Sequence, residues 1–264
     1  MASPPLDKST NPPFHDFPTP PHRIAELTME EFAEALRARP WILLPLGTTE
    51  EHGPHLPLGT DFLYAEHVCA AVAGRVNCLV APGLPYGVCR TMRNFPGTIS
   101  LSPGTLALLL HEILAEYLRH GARKLALVTG HAEAAQLEAM REAALPLVNA
   151  DPTLTLLLIG PYDFLEPIRR EADLVATDGH AGSIETSEML VVAERLVQLE
   201  RIPRVTRPRL TRFRLLAHPE VEFPTGVRGD TSKVSRALGE RSLTHTVDEI
   251  VRLLQNLDAR GSEW

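Results

Sequence analysis

An apolar run, Trp41 to Leu46, is followed almost at once by Glu50-Glu51-His52-Gly53-Pro54-His55-Leu56-Pro57-Leu58-Gly59-Thr60-Asp61. The run reads as a buried strand, and a strand apolar on both faces needs structure packed against both. The polar stretch at its end gathers three acids and two histidines within twelve residues. Desolvating such charges costs several kcal/mol each unless something neutralises them. A divalent metal does so, and imidazole mixed with carboxylate suits zinc or manganese in hydrolytic sites.

Along the rest of the chain, apolar segments alternate with amphipathic ones. Thr28-Met29-Glu30-Glu31 has the form of a capping box and opens a helix to about Ala38. Leu63, Val68, Ala71 and Val72 predict a helix from about Asp61 to Arg75. Cys78–Ala81 reads as a short strand and Pro82 to Asn94 as a loop. Ser102-Pro103 starts a helix, with Leu106, Leu109, Leu110, Ile113, Leu114, Tyr117 and Leu118 on its apolar face. Gly121 sits where a C-cap glycine belongs. Strands are expected at Leu125–Val128 and Leu154–Ile159, with a helix to about Leu145 between them. Two more helices are expected over about 185–199 and 246–257. This alternation predicts an α/β fold with a largely parallel sheet. In such sheets ligands gather beyond the carboxyl ends of the strands.

Composition narrows the class. The chain has 264 residues, 44% of them hydrophobic, which is enough for one substantial core. A net charge of −7 with a pI near 5.9 leaves no basic footprint for nucleic acid. No apolar run reaches membrane-spanning length, and Met1 to Lys8 lacks the layout of a signal peptide. Three cysteines, Cys69, Cys78 and Cys89, are too few for a disulfide framework and suit a reducing cytoplasm. Residues 1–22, rich in Pro with Ser, Thr and Asn, read as a disordered arm. Residues 23–264 are then a single domain.

Three separated segments carry candidate ligands and proton-transfer groups. The first holds Glu50, His52 and Asp61. The second, leaving a strand at Thr129-Gly130-His131-Ala132-Glu133, holds His131 and Glu133. The third, Asp178-Gly179-His180-Ala181-Gly182-Ser183-Ile184-Glu185-Thr186, holds His180 and Glu185. Residues two apart in an extended loop point the same way, so Glu50 with His52, and His131 with Glu133, could each serve one site. Asp61, with two oxygens, could bridge two ions. His111-Glu112 lacks the second histidine of a zincin helix, since position 115 is Ala. No nucleophile elbow and no phosphate-binding Gly-rich loop are present.

These residues resemble the creatininase (creatinine amidohydrolase) family. The resemblance is carried by Thr49 to His55 with Asp61, by Asn94-Phe95-Pro96-Gly97-Thr98-Ile99-Ser100-Leu101, and by Gly130-His131. It continues through His180-Ala181-Gly182 with Glu185-Thr186-Ser187, and through Gly226-Val227-Arg228-Gly229-Asp230. It implies a single-domain three-layer α/β/α sandwich with two divalent metal ions, zinc and/or manganese, with iron as an alternative. Glu50, Asp61 and His131 would hold one ion; His52, Asp61 and Glu133 the other. His180 would transfer protons, Glu185 would support it or the second metal, and Glu133 would also stand near the chemistry. Cys89, Arg93, Ala132, Gly179 and His180 would contact substrate. The family resemblance also implies a homo-oligomer, a hexamer. Ala132 stands where creatininase proper has Tyr, and the only tryptophans are Trp41 and Trp264. With Arg90 and Arg93 near the Phe-Pro-Gly-Thr run, an anionic small-molecule substrate is expected.

The expected activity is hydrolysis of a non-peptide C–N bond, in a cyclic or linear amide, by a water activated between two metals. The alternatives on the same scaffold are a peptidase, a cyclic-ketone hydrolase, and a non-enzymatic metal-binding protein.

Overall fold

A computed structural model describes residues 23–174, 178–204 and 217–260. The arm expected over 1–22 lies outside these residues. Four strands, β1 (Trp41–Leu46), β2 (Cys78–Val80), β3 (Lys124–Thr129) and β4 (Thr155–Ile159), form one sheet in the order β2-β1-β3-β4. Every pairing is parallel. Helices α2 (Thr60–Ala73), α3 (Pro103–Arg119) and α4 (Ala134–Ala150) connect successive strands, and α1 (Met29–Arg37) precedes β1. Helices α5 (Glu166–Glu171), α6 (Ser183–Val192) and α7 (Arg236–Arg260) follow β4.

Alternate side chains of the strands enter two cores. Trp41, Leu43, Ala126, Val128 and Ile159 pack against Val68 and Val72 of α2, Met189 of α6, and Val247, Ile250 and Leu254 of α7. Ile42, Leu44, Leu46, Leu125 and Leu127 pack against Leu106, Leu110 and Leu114 of α3 and Ala139, Met140 and Ala143 of α4. The result is the expected α/β/α sandwich. Leu110 is fully buried, so truncating it to Ala would cost about 2–5 kcal/mol.

The start signals act as their chemistry requires. Thr28 accepts from the Glu31 amide while the Glu31 carboxylate accepts from the Thr28 amide. Ser102 accepts from the Thr105 amide ahead of Pro103. Gly121, at φ +102°, takes the left-handed turn after α3.

The C-terminal part departs from the sequence reading. Helix α4 continues past Leu145 through Pro146, which lies on the solvent side, where losing one backbone hydrogen bond is tolerated. The helix expected over 185–199 ends at Val192, where Ala193 leaves helical geometry (φ −154°, ψ 53°), and two 3-10 turns follow. Leu196 and Val197 still pack on the core, so the apolar pattern persists without the helix. The last helix begins at Arg236, ten residues before the expected 246. Gly239 lies inside it as a contact point: a Cβ there would overlap the backbone of Ser187 on α6. The short α5 was not expected.

The chain leaves β1 towards β2 on one side and β3 towards β4 on the other. The carboxyl ends of β1 and β3 therefore flank a topological switch point, where open α/β sheets bind ligands. Gly130 lets the exit of β3 close on the first turn of α2, since a Cβ there would overlap the Asp61 carbonyl oxygen.

Candidate metal centre and its cleft

The loop after β1 supplies Thr48, Glu50 and His52, the first turn of α2 supplies Asp61, and the exit of β3 supplies His131. All five are buried. Asp61 is shared between the two histidines. Its Oδ1 lies 3.0 Å from His52 Nε2 and its Oδ2 lies 3.0 Å from His131 Nδ1. Glu50 Oε2 is 2.9 Å from the same His131 nitrogen. The Thr48 hydroxyl donates to Asp61 Oδ2 and, at 3.2 Å, to Glu50. Each ring is oriented by a backbone carbonyl. His52 Nδ1 is 3.1 Å from Glu50 O, and His131 Nε2 is 3.0 Å from Val88 O.

Charge is what this arrangement concentrates. Burial opposes ionisation of Glu50, but His131 and His180 outweigh it and hold the carboxyl down at about 2. Burial likewise opposes the charge of Asp61 and is overcome by His52 and His131, which lower its pKa. Burial disfavours protonation of His52, yet Asp61, Glu185 and Glu50 push it up to about 10. His131 is raised for the same reason by Glu50 and Asp61. A floor of carboxylates that lifts buried imidazoles this far attracts positive charge, and its oxygen and nitrogen donors are those zinc and manganese take. Ligand atoms of Glu50, His52 and His180, and again of Glu50, Cys89 and His131, lie within 4.8 Å of one another. The residues present fit a divalent metal.

Above this floor opens a cleft of about 370 Å³. Its wall comes from Tyr162, Arg169, Asp178, His180, Glu185 and Arg228. His180 Nε2 is 2.8 Å from the Glu51 carbonyl oxygen and 3.4 Å from Glu51 Oε1, and its ring stands 4.3 Å from that of His52. Burial and the nearby His52 disfavour its charge, but Glu50, Glu51 and Glu185 prevail and raise its pKa. Ala181 holds a left-handed φ of +54°. Its amide donates to Glu185 Oε2 at 2.7 Å, and the Tyr162 hydroxyl donates to Glu185 Oε1. Arg169 lies over the Tyr162 ring and 3.4 Å from Asp178. Burial, then Glu185, push Asp178 up to about 6.

The sequence-derived candidates divide. Glu50, His52, Asp61 and His131 converge on the floor. Ala132, Glu133, Gly179, His180 and Glu185 line the cleft. Glu133 Oε2 accepts from the amides of Arg90 at 2.7 Å and Thr91 at 3.3 Å. Glu185 Oε2 is 3.8 Å from His52 Nε2. Cys89 and Arg93, expected to contact substrate, are not among the lining residues. Met92 is buried against Cys89 and Phe223, which turns Arg93 outward; Arg90 is exposed too. Cys89 is buried and its thiol donates to Glu50 Oε1 at 2.9 Å. His111, set aside on the sequence, pairs with the Ala143 carbonyl. The sequence reading did not single out Thr48, Tyr162 or Arg169. Thr48, two residues before Glu50, carried a findable signal. Tyr162 and Arg169 carried none, lying between β4 and the third segment without a motif.

A family model described as creatinine amidohydrolase, of the creatininase family, matches residues 25–254. The chain belongs to the creatininase family. It is 32% identical over 216 residues to the creatinine amidohydrolase of Pseudomonas putida, covering 76% of this chain and 78% of that protein. It is 32% identical over 255 residues to the mycofactocin precursor peptide peptidase of Mycobacterium tuberculosis, covering 87% and 90%. A creatininase mutant of Zn-Zn type superimposes with a TM-score of 0.84 at 27% identity, covering 90% of this chain and 98% of that one. A manganese creatininase gives a TM-score of 0.83 at 28% identity, covering 89% and 98%. The chain is accordingly a metal-dependent hydrolase of this family. Among the described residues, no helix is long and apolar enough to cross a membrane.

Proposed function

We propose that this creatininase-family chain hydrolyses a C–N bond of a small amide at a dinuclear metal centre. The observation that carries the reading is Asp61, whose two oxygens each face a different buried histidine at 3.0 Å. Glu50, Asp61 and His131 would hold one ion; His52, Asp61 and Glu133 the other. Glu133 suits that task because one oxygen is engaged by backbone amides, while its Oε1 has no hydrogen-bond partner among the described residues. Both oxygens of Glu185 are already engaged, by Tyr162 and Ala181. When bound, such ions supply an activated water and polarise the substrate carbonyl.

The remaining chemistry belongs to the chain. His180 gives its proton to the departing nitrogen, an acid–base task suited to an imidazole. Glu51 holds one of its ring nitrogens. Glu185 fixes the left-handed turn at Ala181 and so acts as a positioning residue. Arg169 and Arg228, in place of Arg93, bring positive charge to the cleft and favour an anionic substrate. The single hydrolase domain over 23–264, a hexamer and a cytoplasmic home complete the reading. Three free cysteines support a reducing compartment, and exposed Leu58 and Ile99 leave apolar surface for a neighbouring subunit.

The test is metal analysis with a screen of lactams, linear amides and short peptides. Two metal equivalents and turnover that is lost on chelation and restored by zinc or manganese are expected. Preference for a peptide would move the chain to the peptidase alternative, which the Mycobacterium tuberculosis relative favours. Bound metal without turnover on any of these would point to the non-enzymatic reading.

A further inference from the structure

Beside the carboxylates and histidines of the floor stands a thiol. Cys89 is fully buried, with Sγ 2.9 Å from Glu50 Oε1, and the other oxygen of Glu50 is 2.9 Å from His131 Nδ1. The ligand atoms of Glu50, Cys89 and His131 all lie within 4.8 Å of one another. Ligands about 2.0–2.3 Å from one tetrahedral zinc stand roughly 3.3–3.8 Å apart, so small shifts would close this set on an ion. The other two cysteines differ: Cys69 and Cys78 sit among apolar side chains between α2 and the sheet.

The backbone that delivers the thiol is held firmly. Gly87 lies where a Cβ would overlap the Gln136 side chain and press on Thr48. The Gln136 side-chain Oε1 accepts from the Val88 amide at 2.8 Å, and the Ser100 hydroxyl accepts from the Cys89 amide at 2.9 Å. Between these two anchors, the Val88 carbonyl pairs with His131 Nε2 at 3.0 Å. A carbonyl on the far nitrogen of an imidazole is what orients a ligating histidine. Residues 88 and 89 therefore position one candidate ligand and present another.

We propose that Cys89 is a further protein ligand at the Glu50–Asp61–His131 position, binding as a thiolate and biasing that position towards zinc over manganese. This rests on the dinuclear reading for the presence of an ion. Coordination releases the thiol proton to solvent, and no redox change is involved. Sulfur ligands favour thiophilic ions, whereas manganese prefers oxygen donors.

The test uses the full-length protein loaded with cobalt(II). Wild type is expected to show an intense sulfur-to-cobalt charge-transfer band in the near ultraviolet. Cys69→Ser should keep the band and Cys89→Ser should lose it. Zinc affinity should fall in Cys89→Ser by more than the roughly 10–100-fold cost of losing a mere outer-shell partner, with a smaller change for manganese. X-ray absorption of the zinc-loaded wild type needs no variant, and should show a sulfur scatterer about 2.3 Å from zinc. Two bound cobalt ions without a charge-transfer band would overturn the proposal and leave the hydrolase reading standing; Cys89 would then only donate to Glu50. Failure to bind cobalt or zinc at all would remove the dinuclear reading, and this proposal with it.

Discussion

Floor residues Glu50, His52, Asp61 and His131 leave the ends of β1 and β3 and the first turn of α2, and none is more than 6% exposed. Wall residues Tyr162, Arg169, His180 and Arg228 come from loops and short helices after β4, and all of them retain some exposure. The floor is attached to the most deeply packed part of the sheet. Its geometry is fixed by the register of two parallel strands and by a glycine that admits no side chain. The wall is fixed by side-chain contacts such as Tyr162 with Glu185 and Arg169 with Asp178. On the proposed function, such a division would put metal chemistry on rigid elements and leave substrate choice to segments that can vary without disturbing the sheet.

The largest expected effect comes from the floor. Asp61→Asn removes the charge shared by His52 and His131 while keeping the side-chain shape. Metal occupancy should fall at one or both positions, and kcat/KM should drop about 10³-fold or more, as losing several kcal/mol of metal-supplied stabilisation implies. Because an ion at 100 times its Kd adds about 2.7 kcal/mol of stability, the metal-dependent rise in Tm should shrink as well. Elemental analysis and thermal unfolding with and without zinc check this. Full occupancy in the variant would mean that Asp61 bridges nothing.

The next effect isolates the wall. His180→Ala should keep both metals and lower kcat by roughly 10²–10⁴-fold, the usual loss of an acid–base group. KM should change less than kcat. The contrast with Asp61→Asn is the informative result: floor variants lose metal and rate together, whereas this one loses rate alone. His180 has a ligand atom within 4.8 Å of those of Glu50 and His52. Metal loss in proportion to rate would therefore reassign it to the floor.

The same division explains what was legible in the sequence. Glu50, His52 and Asp61 fall within one twelve-residue run, and a parallel strand buried on both faces is a nearly unbroken apolar word. Local pattern and tertiary position coincide there. Tyr162 and Arg169 reach the cleft only because β4 ends beside β3 and α5 turns back. Neither fact has a local signature, since α5 is six residues long and Asp178 lies nine residues beyond Arg169. Arg93 went the other way: its place just before the Phe-Pro-Gly-Thr run suggested substrate contact, whereas in the fold it is exposed beside the buried Met92 and is not among the residues lining the cleft. Glycines show both cases, one role legible in the sequence and one not. Gly121 ends a helix, whereas Gly239 lies inside one because α6 and α7 approach too closely for a side chain.

Behind the wall, Glu188 is buried on α6 and accepts from the Ser242 hydroxyl. Burial first, then Glu185 and Asp178, push its carboxyl up to about 8 from an ordinary 4.5. The folded protein thus keeps a proton between those values that the unfolded chain gives up. Stability is fully present below about pH 4.5, falls as pH rises, and levels off above about pH 8. Glu188→Gln imitates the protonated form and should remove this part of the decline. Relative to wild type, its unfolding free energy should rise with pH by at most about 1.4 kcal/mol per unit across that window. Urea unfolding at pH 5, 6, 7 and 8 measures the difference. Parallel stability curves for the two proteins would show Glu188 to be ionised in the fold.

The smallest expected effect asks whether the wall chooses substrates by charge. Arg228 sits at the exposed rim of the cleft, its guanidinium 5.6 Å from the Phe223 ring and in no ion pair among the described residues. Its amide donates to the His180 carbonyl at 2.9 Å, which ties the arginine to the proposed proton donor. Arg169 differs, because Asp178 already offsets its charge. An anionic group on the substrate would therefore gain most from Arg228. A charged hydrogen bond of about 1.5 kcal/mol corresponds to roughly tenfold in kcat/KM. The measurement compares an amide bearing a free carboxylate with its carboxamide counterpart. Arg228→Ala should lower kcat/KM about tenfold for the first and little for the second, while Arg93→Ala changes neither. A loss shared equally by both substrates would mean that Arg228 supports His180 through its backbone contact and reads no charge. A loss confined to Arg93→Ala would return substrate recognition to the loop before the Phe-Pro-Gly-Thr run and break the division between floor and wall at its most exposed point.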